Sequence, residues 1–325
     1  MRAIIVENPG SESVLRVSEV AAPELVPGSL RVRVAAAAVN RADLMQRQGM
    51  YPPPPGASEL LGLECAGEVA EIASDVTDFR VGDRVMALLA GGGYAEEVVV
   101  DAGSAMPVPD GMSFEQAAAV PEVFLTVFLN VFELGAFPDG GTLLVHGGGS
   151  GIGTAAIQLV SVAGGRSVVT AGSEEKCRKC RELGADVAVN YRDGDFVAAC
   201  REATNDRGVD VVLDSIGAPY LEKNLAALAM NGRLVLIGLM GGAKAEISLA
   251  TLLMRRLQLI GSTLRARPVA EKAAIVRSFW SRFGAALEKG ELHAVVDRVL
   301  PLAEAEEAHR AMLASEHFGK LVLRT

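Results

Sequence analysis

A glycine-rich run near the middle of the chain is the segment whose composition points most clearly to chemistry. It reads TLLVHGGGSGIGTAAIQLV, in which an apolar stretch precedes Gly147 and an uncharged stretch follows Gly153. A strand that ends in glycines and continues directly into a helix directs backbone N–H groups and the positive helix end toward a phosphate. This order of elements predicts a site for the pyrophosphate of a dinucleotide.

The spacing of these glycines departs from the usual G-x-G-x-x-G fingerprint. Counted from Gly148, the third position holds Ser150, whereas Gly153 falls correctly on the sixth. Strand, loop and helix are still in the expected order. We therefore interpret the run as a variant of the fingerprint and not as a purely structural turn.

The end of the next apolar stretch indicates which dinucleotide is bound. Proteins that bind NAD usually carry Asp or Glu there, where it binds the ribose hydroxyls. Here the stretch reads SVVTAGS and ends at Gly172 and Ser173, with Lys176 one turn further on. Without a carboxylate a 2′-phosphate is not repelled, and Ser173 and Lys176 can bind it, so the sequence predicts NADPH. Glu174 and Glu175 argue against this, because either could reach the ribose.

The segment His146–Gly149 reads HGGG and is also similar to the oxyanion loop of some esterases. Such a hydrolase needs its serine within G-x-S-x-G. Ser150 has Gly148 before it but Ile152 after it, and no other serine fits the pattern. The sequence therefore disfavours a hydrolase.

The first hundred residues are predicted to form the strands of a β-rich domain. Leu30, Val32 and Val34 alternate with two arginines, which is the pattern of a half-buried strand, and glycine or proline recurs at short intervals. After Pro109 a helical stretch begins with a capping box. Pro121 is predicted to split that stretch into two helices.

Beyond residue 141, continuous apolar strands alternate with helices, among them one predicted through Leu221–Met230. This alternation predicts an α/β domain with a doubly wound parallel sheet. A long helix (Val269–Lys289) and a last strand, KLVLRT, are too short to fold alone and should return to the first domain. The predicted division is 1–121 with 264–325 for the β-rich domain, and 122–263 for the nucleotide-binding domain.

Composition and charge exclude several classes of protein. The net charge is −9 and no basic stripe is present, which disfavours a nucleic-acid partner. No apolar run approaches the roughly 20 residues of a membrane span, and the first residues do not form a signal peptide. We therefore expect a cytoplasmic protein. Cys177 and Cys180 form a C-x-x-C pair, but a lone pair supplies half of a tetrahedral metal site, so packing on a helix is the favoured interpretation.

Over essentially its whole length, the chain resembles the medium-chain dehydrogenase/reductase superfamily. The segment Gly62–Val85, GLECAGEVAEIASDVTDFRVGDRV, corresponds to a pattern that begins G-H-E in zinc alcohol dehydrogenases. Here Leu63 stands at the histidine position and Asn40 at the position of a cysteine ligand. The four-cysteine lobe that would follow Gly93 is missing. The resemblance therefore implies a reductase that holds no metal and works without zinc as a Lewis acid.

Within that superfamily, several motifs resemble the quinone oxidoreductase family. They are VNRADLMQRQGMYPPPPGASELLGLECAG, HGGGSGIGTAAIQL, GSTLRAR and HFGKLVL, in this order. VLDSIGAPYLEKNLAALAMNGRLVLIGLMGG points more closely to the branch that includes the tumour-suppressor-induced quinone oxidoreductase. The resemblance implies a GroES-like catalytic domain joined to a Rossmann domain, and NADPH-dependent reduction of a quinone.

The resemblance also implies a set of site residues. Asn40 and Tyr51 are the candidate catalytic residues, near the nicotinamide and the acceptor. The implied cofactor contacts are Asn40 and Thr126 on the nicotinamide side; Gly148, Ser150, Gly151, Ile152 and Gly153 around the pyrophosphate; Gly172, Ser173, Lys176 and Tyr191 around the 2′-phosphate; and Ser215, Gly217, Gly238, Leu239, Met240, Thr263, Leu264, Gly319 and Lys320 along and over the nicotinamide.

Three functions stay open on the sequence. The first is an NADPH:quinone reductase, whose hydroquinone product needs no enzymic acid because water can protonate it. The second is an NADPH-dependent reductase of conjugated enones or enoyl thioesters, and the third is an NADPH-binding protein of low turnover. We also expect a homodimer, because the last apolar strand of the sheet, LQLIGSTL, should lie at an edge and pair with its copy.

Overall fold

Two units make up the chain in a computed structural model that describes residues 1–325. The first unit consists of Met1–Leu125 and Leu264–Thr325, and the second of Thr126–Thr263. The predicted start of the second domain, residue 122, lies four residues earlier. It falls inside helix α3 (Pro121–Val127), because Pro121 marks where a helix begins and not where a domain does.

The first unit is built on a mostly antiparallel sheet of seven strands. A two-stranded sheet of β1 and β2 accompanies it, and the larger sheet has the order β14-β15-β3-β4-β5-β7, with β6 paired to β3. Its elements are β1 (Arg2–Glu7), β2 (Val14–Glu19), β3 (Ser29–Ala38), α1 (Arg41–Arg47), β4 (Glu64–Ile72), β5 (Arg84–Leu88), β6 (Glu97–Asp101), β7 (Ala105–Pro107), α2 (Phe114–Ala118), the first part of α3, α9 (Val269–Glu288), β14 (Val296–Pro301), α10 (Ala305–Ala314) and β15 (Lys320–Arg324).

Strand β3 shows why this sequence forms a sheet. Leu30, Val32 and Val34 are at most 3% exposed, whereas Arg33 between them is exposed. Side chains of a strand alternate between faces, so the apolar set covers the core and the arginine faces solvent. The sheet core that they join includes Tyr94, which is fully buried.

The end of the chain belongs to the first unit. Strand β15 pairs antiparallel with β3, with Val322 opposite Ala38, and parallel with β14. This pairing places Lys320 beside the residues that follow β3, and Val39 donates its backbone N–H to the carbonyl oxygen of Leu321 at 2.9 Å. A side chain from the last strand thus reaches the start of α1.

The second unit is a parallel sheet of six strands with the order β10-β9-β8-β11-β12-β13, and the prediction of a doubly wound α/β domain is confirmed. Strand β8 is buried along its whole length, as its unbroken apolar sequence predicts. Its elements are a π-helix (Phe128–Leu134), β8 (Thr142–His146), α4 (Gly151–Val162), β9 (Arg166–Ala171), α5 (Glu174–Glu182), β10 (Val187–Asn190), α6 (Phe196–Ala203), β11 (Val209–Asp214), α7 (Leu221–Ala227), β12 (Leu228–Leu236), α8 (Leu249–Arg255) and β13 (Gln258–Gly261).

One element boundary in this unit differs from the prediction. The helix predicted through Leu221–Met230 ends at Ala227, and β12 begins at the next residue. Leu228 lies opposite Val209 of β11, so pairing in the sheet ends α7 earlier than helix propensity alone predicts. The predicted break at Pro121 is correct, because α2 ends at Ala118 and α3 begins at Pro121.

Strand β13 lies at one edge of the second unit's sheet, where the sequence placed it. Leu253 and Met254 of the preceding helix α8 are 77% and 73% exposed. An apolar surface beside a free sheet edge is consistent with pairing to a second copy. The homodimer stays a prediction, which light scattering at micromolar concentration would test.

All four cysteines are free thiols and buried. Cys177 and Cys180 lie on α5 with no exposed surface, so the C-x-x-C pair packs against the sheet. Burial raises the pKa of Cys65, Cys180 and Cys200 to about 12, and it also raises the pKa of Cys177. No cluster of three or more His, Cys, Asp or Glu side chains could hold a metal ion, and no helix has the length and apolarity to cross a membrane.

Candidate cofactor and substrate site

The glycine run lies where β8 ends and α4 begins. Ser150 caps α4, and its Oγ accepts the N–H of Gly153 at 3.1 Å. The N–H groups of Gly151 and Ile152, in the first turn of α4, have no acceptor within the protein. Two unpartnered donors at the positive end of a 12-residue helix can bind an anion such as a pyrophosphate.

Two of the glycines in this loop are required by close packing. A Cβ on Gly148 would approach Cβ of Val169 and Sγ of Cys180 to 2.9 Å. A Cβ on Gly153 would lie 2.5 Å from Cα of Gly148, so backbone would have to move. The loop therefore packs closely against β9 and the start of α4, with no room for a side chain at either position. This cradle fits the pyrophosphate of a dinucleotide.

The residues predicted to surround a 2′-phosphate lie together at the end of β9. Ser173 caps α5, and its Oγ accepts the N–H of Lys176 at 3.3 Å. A Cβ on Gly172 would lie 2.9 Å from Oη of Tyr191, whose side chain is 46% exposed. A hydroxyl, a phenol and an ammonium-bearing helix turn thus meet where a carboxylate would stand in an NAD site.

One of the two glutamates that argued against NADPH has a partner elsewhere. Glu175 forms an ion pair with Lys179 one turn along α5, with 2.9 Å between Oε1 and Nζ. Glu174 lies in the first turn of the same helix. The pairing of Glu175 removes one of the two objections to a 2′-phosphate.

The residues predicted along the nicotinamide lie in the loops after β11 and β12. Met240 donates its N–H to the carbonyl oxygen of Ser215 at 3.1 Å, and a Cβ on Gly238 would lie 3.1 Å from that oxygen. Gly217 has φ of +85°, which favours glycine.

Leu239 is exposed, whereas Thr126 is buried and its carbonyl oxygen accepts from Asn130 at 2.7 Å. Of the remaining predicted contacts, Thr263 is the last residue of this unit, and Leu264 and Gly319 lie in the first.

In the first unit, Asn40 and Lys320 belong to one buried cluster with Glu64. The Lys320 ammonium donates to the Val39 carbonyl oxygen at 2.9 Å, to Oδ1 of Asn40 at 2.6 Å and to Oε1 of Glu64 at 2.7 Å. Asn40 also donates from Nδ2 to Oε1 of Glu64 at 2.9 Å. Lys320 and Glu64 are at most 2% exposed and Asn40 is 8% exposed. All three ammonium hydrogens have acceptors, so a direct bond from Lys320 to a cofactor stays a prediction.

Asp43 extends this cluster toward the core. Its Oδ2 accepts the N–H of Asn40 at 2.8 Å and the phenol of Tyr94 at 3.2 Å, and its Oδ1 accepts the N–H of Gly62 at 3.0 Å. Burial raises the pKa of Asp43 to about 6, and these three hydrogen bonds oppose the rise. Asp43 therefore fixes the backbone that carries Asn40.

Tyr51 is half-buried and lies under Arg265. The guanidinium carbon is 5.3 Å from the centre of the Tyr51 ring, and Arg265 donates to the Tyr51 carbonyl oxygen at 3.2 Å. Burial raises the pKa of Tyr51, and the carboxyl of Glu122 adds to the rise. Arg265 also lines a groove of about 960 Å³ in the first unit, with Pro54 and Lys272.

Glu122 is a chemically distinctive residue that the sequence analysis did not identify. Its Oε2 is buried without a hydrogen-bond partner, and its backbone N–H donates to Oε2 of Glu64 at 2.8 Å. Burial, and next the carboxylate of Glu64, raise the pKa of Glu122 to about 8. The sequence carries no signal of this, since an acid in the first turn of a helix usually interacts with the helix dipole.

The raised pKa of Glu122 predicts how stability changes with pH. An acid whose pKa is higher in the folded state stabilises the fold below its unfolded pKa, and this contribution is lost as pH rises through about 8. As pH rises from 6 to 9, the unfolding free energy of Glu122→Gln should increase by about 2 kcal/mol relative to that of the unchanged protein. Urea denaturation across this range measures the change. The exposed Glu288→Gln is the control, and parallel pH profiles for all three proteins would contradict the prediction.

Comparison with known proteins identifies the family. The model of the alcohol dehydrogenase GroES-like domain matches residues 26–110, and that of the zinc-binding dehydrogenase matches residues 151–279. The crystal structure of an NAD-dependent alcohol dehydrogenase is 34% identical, covers both chains fully and superposes with a TM-score of 0.86. The chain belongs to the medium-chain dehydrogenase/reductase superfamily. It has the fold of an oxidoreductase, with a GroES-like domain and a Rossmann-like sheet.

Two further structures bear on the reaction. Escherichia coli quinone oxidoreductase complexed with NADPH is 27% identical, covers 100% of this chain and 99% of its own, and has a TM-score of 0.87. CurK enoyl reductase is 26% identical, covers 99% and 98%, and has a TM-score of 0.86.

Among curated sequences, polyketide synthase GfsB of Streptomyces halstedii is 34% identical over 326 residues, which is 98% of this chain. The chain spans between 6% and 18% of the length of such relatives.

Proposed function

We propose that this protein is an NADPH-dependent reductase that reduces a quinone by hydride transfer without zinc. The observation that carries the proposal is the pair of sites in the second unit. One is the glycine cradle with its two unpartnered N–H groups, and the other is the carboxylate-free end of β9 with Ser173 and Lys176. The structures of related proteins complexed with NADPH support this choice of cofactor.

The protein's own residues would divide the work as follows. Gly151 and Ile152 would bind the pyrophosphate, and Lys176 with Ser173 and Tyr191 would bind the 2′-phosphate. Bound NADPH supplies the hydride. Asn40, fixed by Glu64 and Lys320, and Tyr51 under Arg265 would orient the acceptor. A quinone then needs no acid from the protein, because water protonates the hydroquinone anion.

A second candidate, reduction of an enone or enoyl thioester, has an observation in its favour. Such a reaction must place a proton on carbon after the hydride has been transferred, and an acid with a pKa near the working pH does this best. Glu122, whose pKa is raised to about 8, is such an acid and influences Tyr51 electrostatically. The similarity to CurK enoyl reductase and to polyketide synthases supports this alternative as well.

Acceptor screening separates these functions. NADPH oxidation is followed with ortho-quinones, para-quinones, simple enones and crotonyl thioester at matched concentrations. Turnover that is highest with quinones supports the proposal, and turnover confined to enones or the thioester replaces it with the second candidate. Tight NADPH binding without oxidation by any acceptor would instead indicate a binding protein of low turnover.

Lys176 is predicted to give the preference for NADPH over NADH. Removing its ammonium group by Lys176→Ala should weaken NADPH selectively, since a charge-assisted hydrogen bond contributes about 1.5–3 kcal/mol. We expect kcat/KM to fall roughly tenfold or more with NADPH and to stay unchanged with NADH. Arg178→Ala, on the same helix and paired with Glu182, is the matched control. An equal fall with both cofactors would show that Lys176 does not bind the 2′-phosphate.

Tyr51 is predicted to position the acceptor and not to donate a proton. Tyr51→Phe keeps the ring under Arg265 and should retain most of the turnover. Tyr51→Ala removes the ring and should raise KM or lower kcat for the acceptor, with NADPH affinity nearly intact. Steady-state kinetics on both variants measure this. Loss of most activity in Tyr51→Phe alone would assign the phenol as the acid.

A further inference from the structure

A line of four buried polar side chains crosses the carboxyl edge of the second unit's sheet. Thr170 lies near the end of β9, His146 at the end of β8 and Asp214 at the end of β11, and these three strands are neighbours in the sheet. Asn224 of α7 joins the last two. Each of the four is at most 2% exposed. Polar groups this deeply buried must bond to one another.

The distances define a continuous chain. His146 Nδ1 is 3.0 Å from Oγ1 of Thr170, and His146 Nε2 is 2.7 Å from Oδ1 of Asn224. Asn224 donates from Nδ2 to Oδ2 of Asp214 at 3.0 Å. The rings of Phe196 and Tyr220 meet the imidazole edge-on, with centres 5.0 Å and 4.7 Å away, and shield it from water.

Each hydrogen bond in this chain has one possible direction. A carboxylate only accepts, so Asn224 presents its amino group to Asp214 and its oxygen to His146. Nε2 of His146 must then carry a proton, and Nδ1 accepts the hydroxyl hydrogen of Thr170. Burial lowers the pKa of His146, which agrees with a neutral ring that carries one proton.

Both ends of the chain hold segments of the candidate cofactor site. At one end the Thr170 carbonyl oxygen accepts the N–H of Gly148 at 2.8 Å. At the other, Oδ1 of Asp214 accepts the N–H groups of Ile216 at 2.6 Å and of Gly217 at 3.2 Å. The glycine loop and the loop Ser215–Gly217 are therefore connected through side chains as well as through the backbone.

We propose that the chain Thr170–His146–Asn224–Asp214 positions the nicotinamide half of the cofactor, by fixing the Ser215–Gly217 loop relative to the glycine loop. The inference rests on the proposed binding of NADPH. None of the four side chains need touch the cofactor, so they act as positioning residues. Their effect should fall on the part of NADPH that contacts the second loop and spare the adenosine end.

The affinities of the Asn224→Leu variant for two ligands test this positioning role. Leucine has a similar size but leaves His146 and Asp214 without their shared partner, and losing such a bond weakens an interaction about tenfold. Calorimetry should show a Kd for NADPH raised about tenfold, and a Kd for 2′,5′-ADP, which lacks the nicotinamide half, unchanged within about twofold. Equal weakening of both ligands, or of neither, would overturn the proposal.

Variants of Thr170, at the other end of the hydrogen-bond chain, keep the test valid if Asn224→Leu does not fold. Thr170→Val removes the hydroxyl and should weaken NADPH in the same selective way, whereas Thr170→Ser should restore affinity. Thr204→Val is the control, because this buried hydroxyl bonds to the Cys200 carbonyl oxygen at 2.7 Å, outside the chain. A selective loss in Thr204→Val, or none in Thr170→Val, would contradict the proposal.

Nitrogen NMR of the imidazole gives a readout that needs no cofactor. We expect neutral His146 protonated at Nε2 at pH 7, and a mixture of tautomers in Asn224→Leu, which lacks the oxygen that accepts the Nε2 proton. An imidazolium, or a ring protonated at Nδ1, in the unchanged protein would overturn the proposed chain even if NADPH binds. If the unchanged protein does not bind NADPH, the proposed function fails, and the positioning role fails with it while the tautomer result stands.

Discussion

Lys320→Met is expected to lower the free energy of unfolding by about 3–5 kcal/mol. The substitution leaves the carboxylate of Glu64, which has no exposed surface, without its cation. It also removes the ammonium group that donates to Oδ1 of Asn40. Breaking a buried ion pair from one side is far more destabilising than removing both charges, because the remaining charge stays desolvated. Denaturation by urea, monitored by circular dichroism, measures the loss.

Two further variants show whether the buried charge is the cause. Glu64→Gln combined with Lys320→Met leaves a neutral pair and should recover part of the stability lost in Lys320→Met alone. Lys289→Met, at the exposed end of α9, should change stability by less than about 0.5 kcal/mol. A loss below about 1 kcal/mol in Lys320→Met, with weakened NADPH binding, would instead support the direct cofactor contact that the family resemblance implies.

Gly153→Ala is expected to reduce NADPH affinity by at least about a hundredfold. The new Cβ would overlap the carbonyl oxygen of Gly147 and lie 2.5 Å from Cα of Gly148, so the loop has to move away from α4. Backbone cannot yield as a flexible side chain can, and the displacement would disturb the N–H groups that are proposed to bind the pyrophosphate. Isothermal calorimetry with NADPH measures the effect, and circular dichroism shows whether the fold persists.

Gly261→Ala is the matched control for this substitution. Gly261 lies in β13 of the same sheet, and a Cβ there would meet nothing within 4 Å. Its NADPH affinity should therefore equal that of the unchanged protein. If Gly153→Ala folds normally and binds NADPH with unchanged affinity, the glycine cradle is not the pyrophosphate site.

The sequence was informative wherever a pattern is local. Alternating apolar residues predicted β3, an unbroken apolar stretch predicted β8, and Pro121 predicted the start of a helix. Each of these patterns depends on residues only a few positions apart. The helix α7 was predicted three residues too long, since the pairing of Leu228 with Val209 is a contact that periodicity does not contain.

The candidate site shows the same limit more strongly. The glycine loop could be found because its residues are consecutive, whereas the cluster of Asn40, Glu64 and Lys320 joins positions as many as 280 residues apart. No local pattern links Glu64 to Lys320, and only the structure shows that its carboxylate binds both Asn40 and Lys320. Glu122 could not be recognised at all, because its chemistry arises from burial beside Glu64.

The burial of the thiols has a consequence for the kind of acceptor this protein could tolerate. Quinones and enones are electrophiles that alkylate cysteine, and the attacking species is the thiolate. With the pKa of Cys65, Cys180 and Cys200 raised to about 12, thiolate is scarce at neutral pH, and no sulfur is exposed to collide with an acceptor in solution. The folded chain should thus resist arylation by the proposed acceptors, and lose that resistance only when it unfolds.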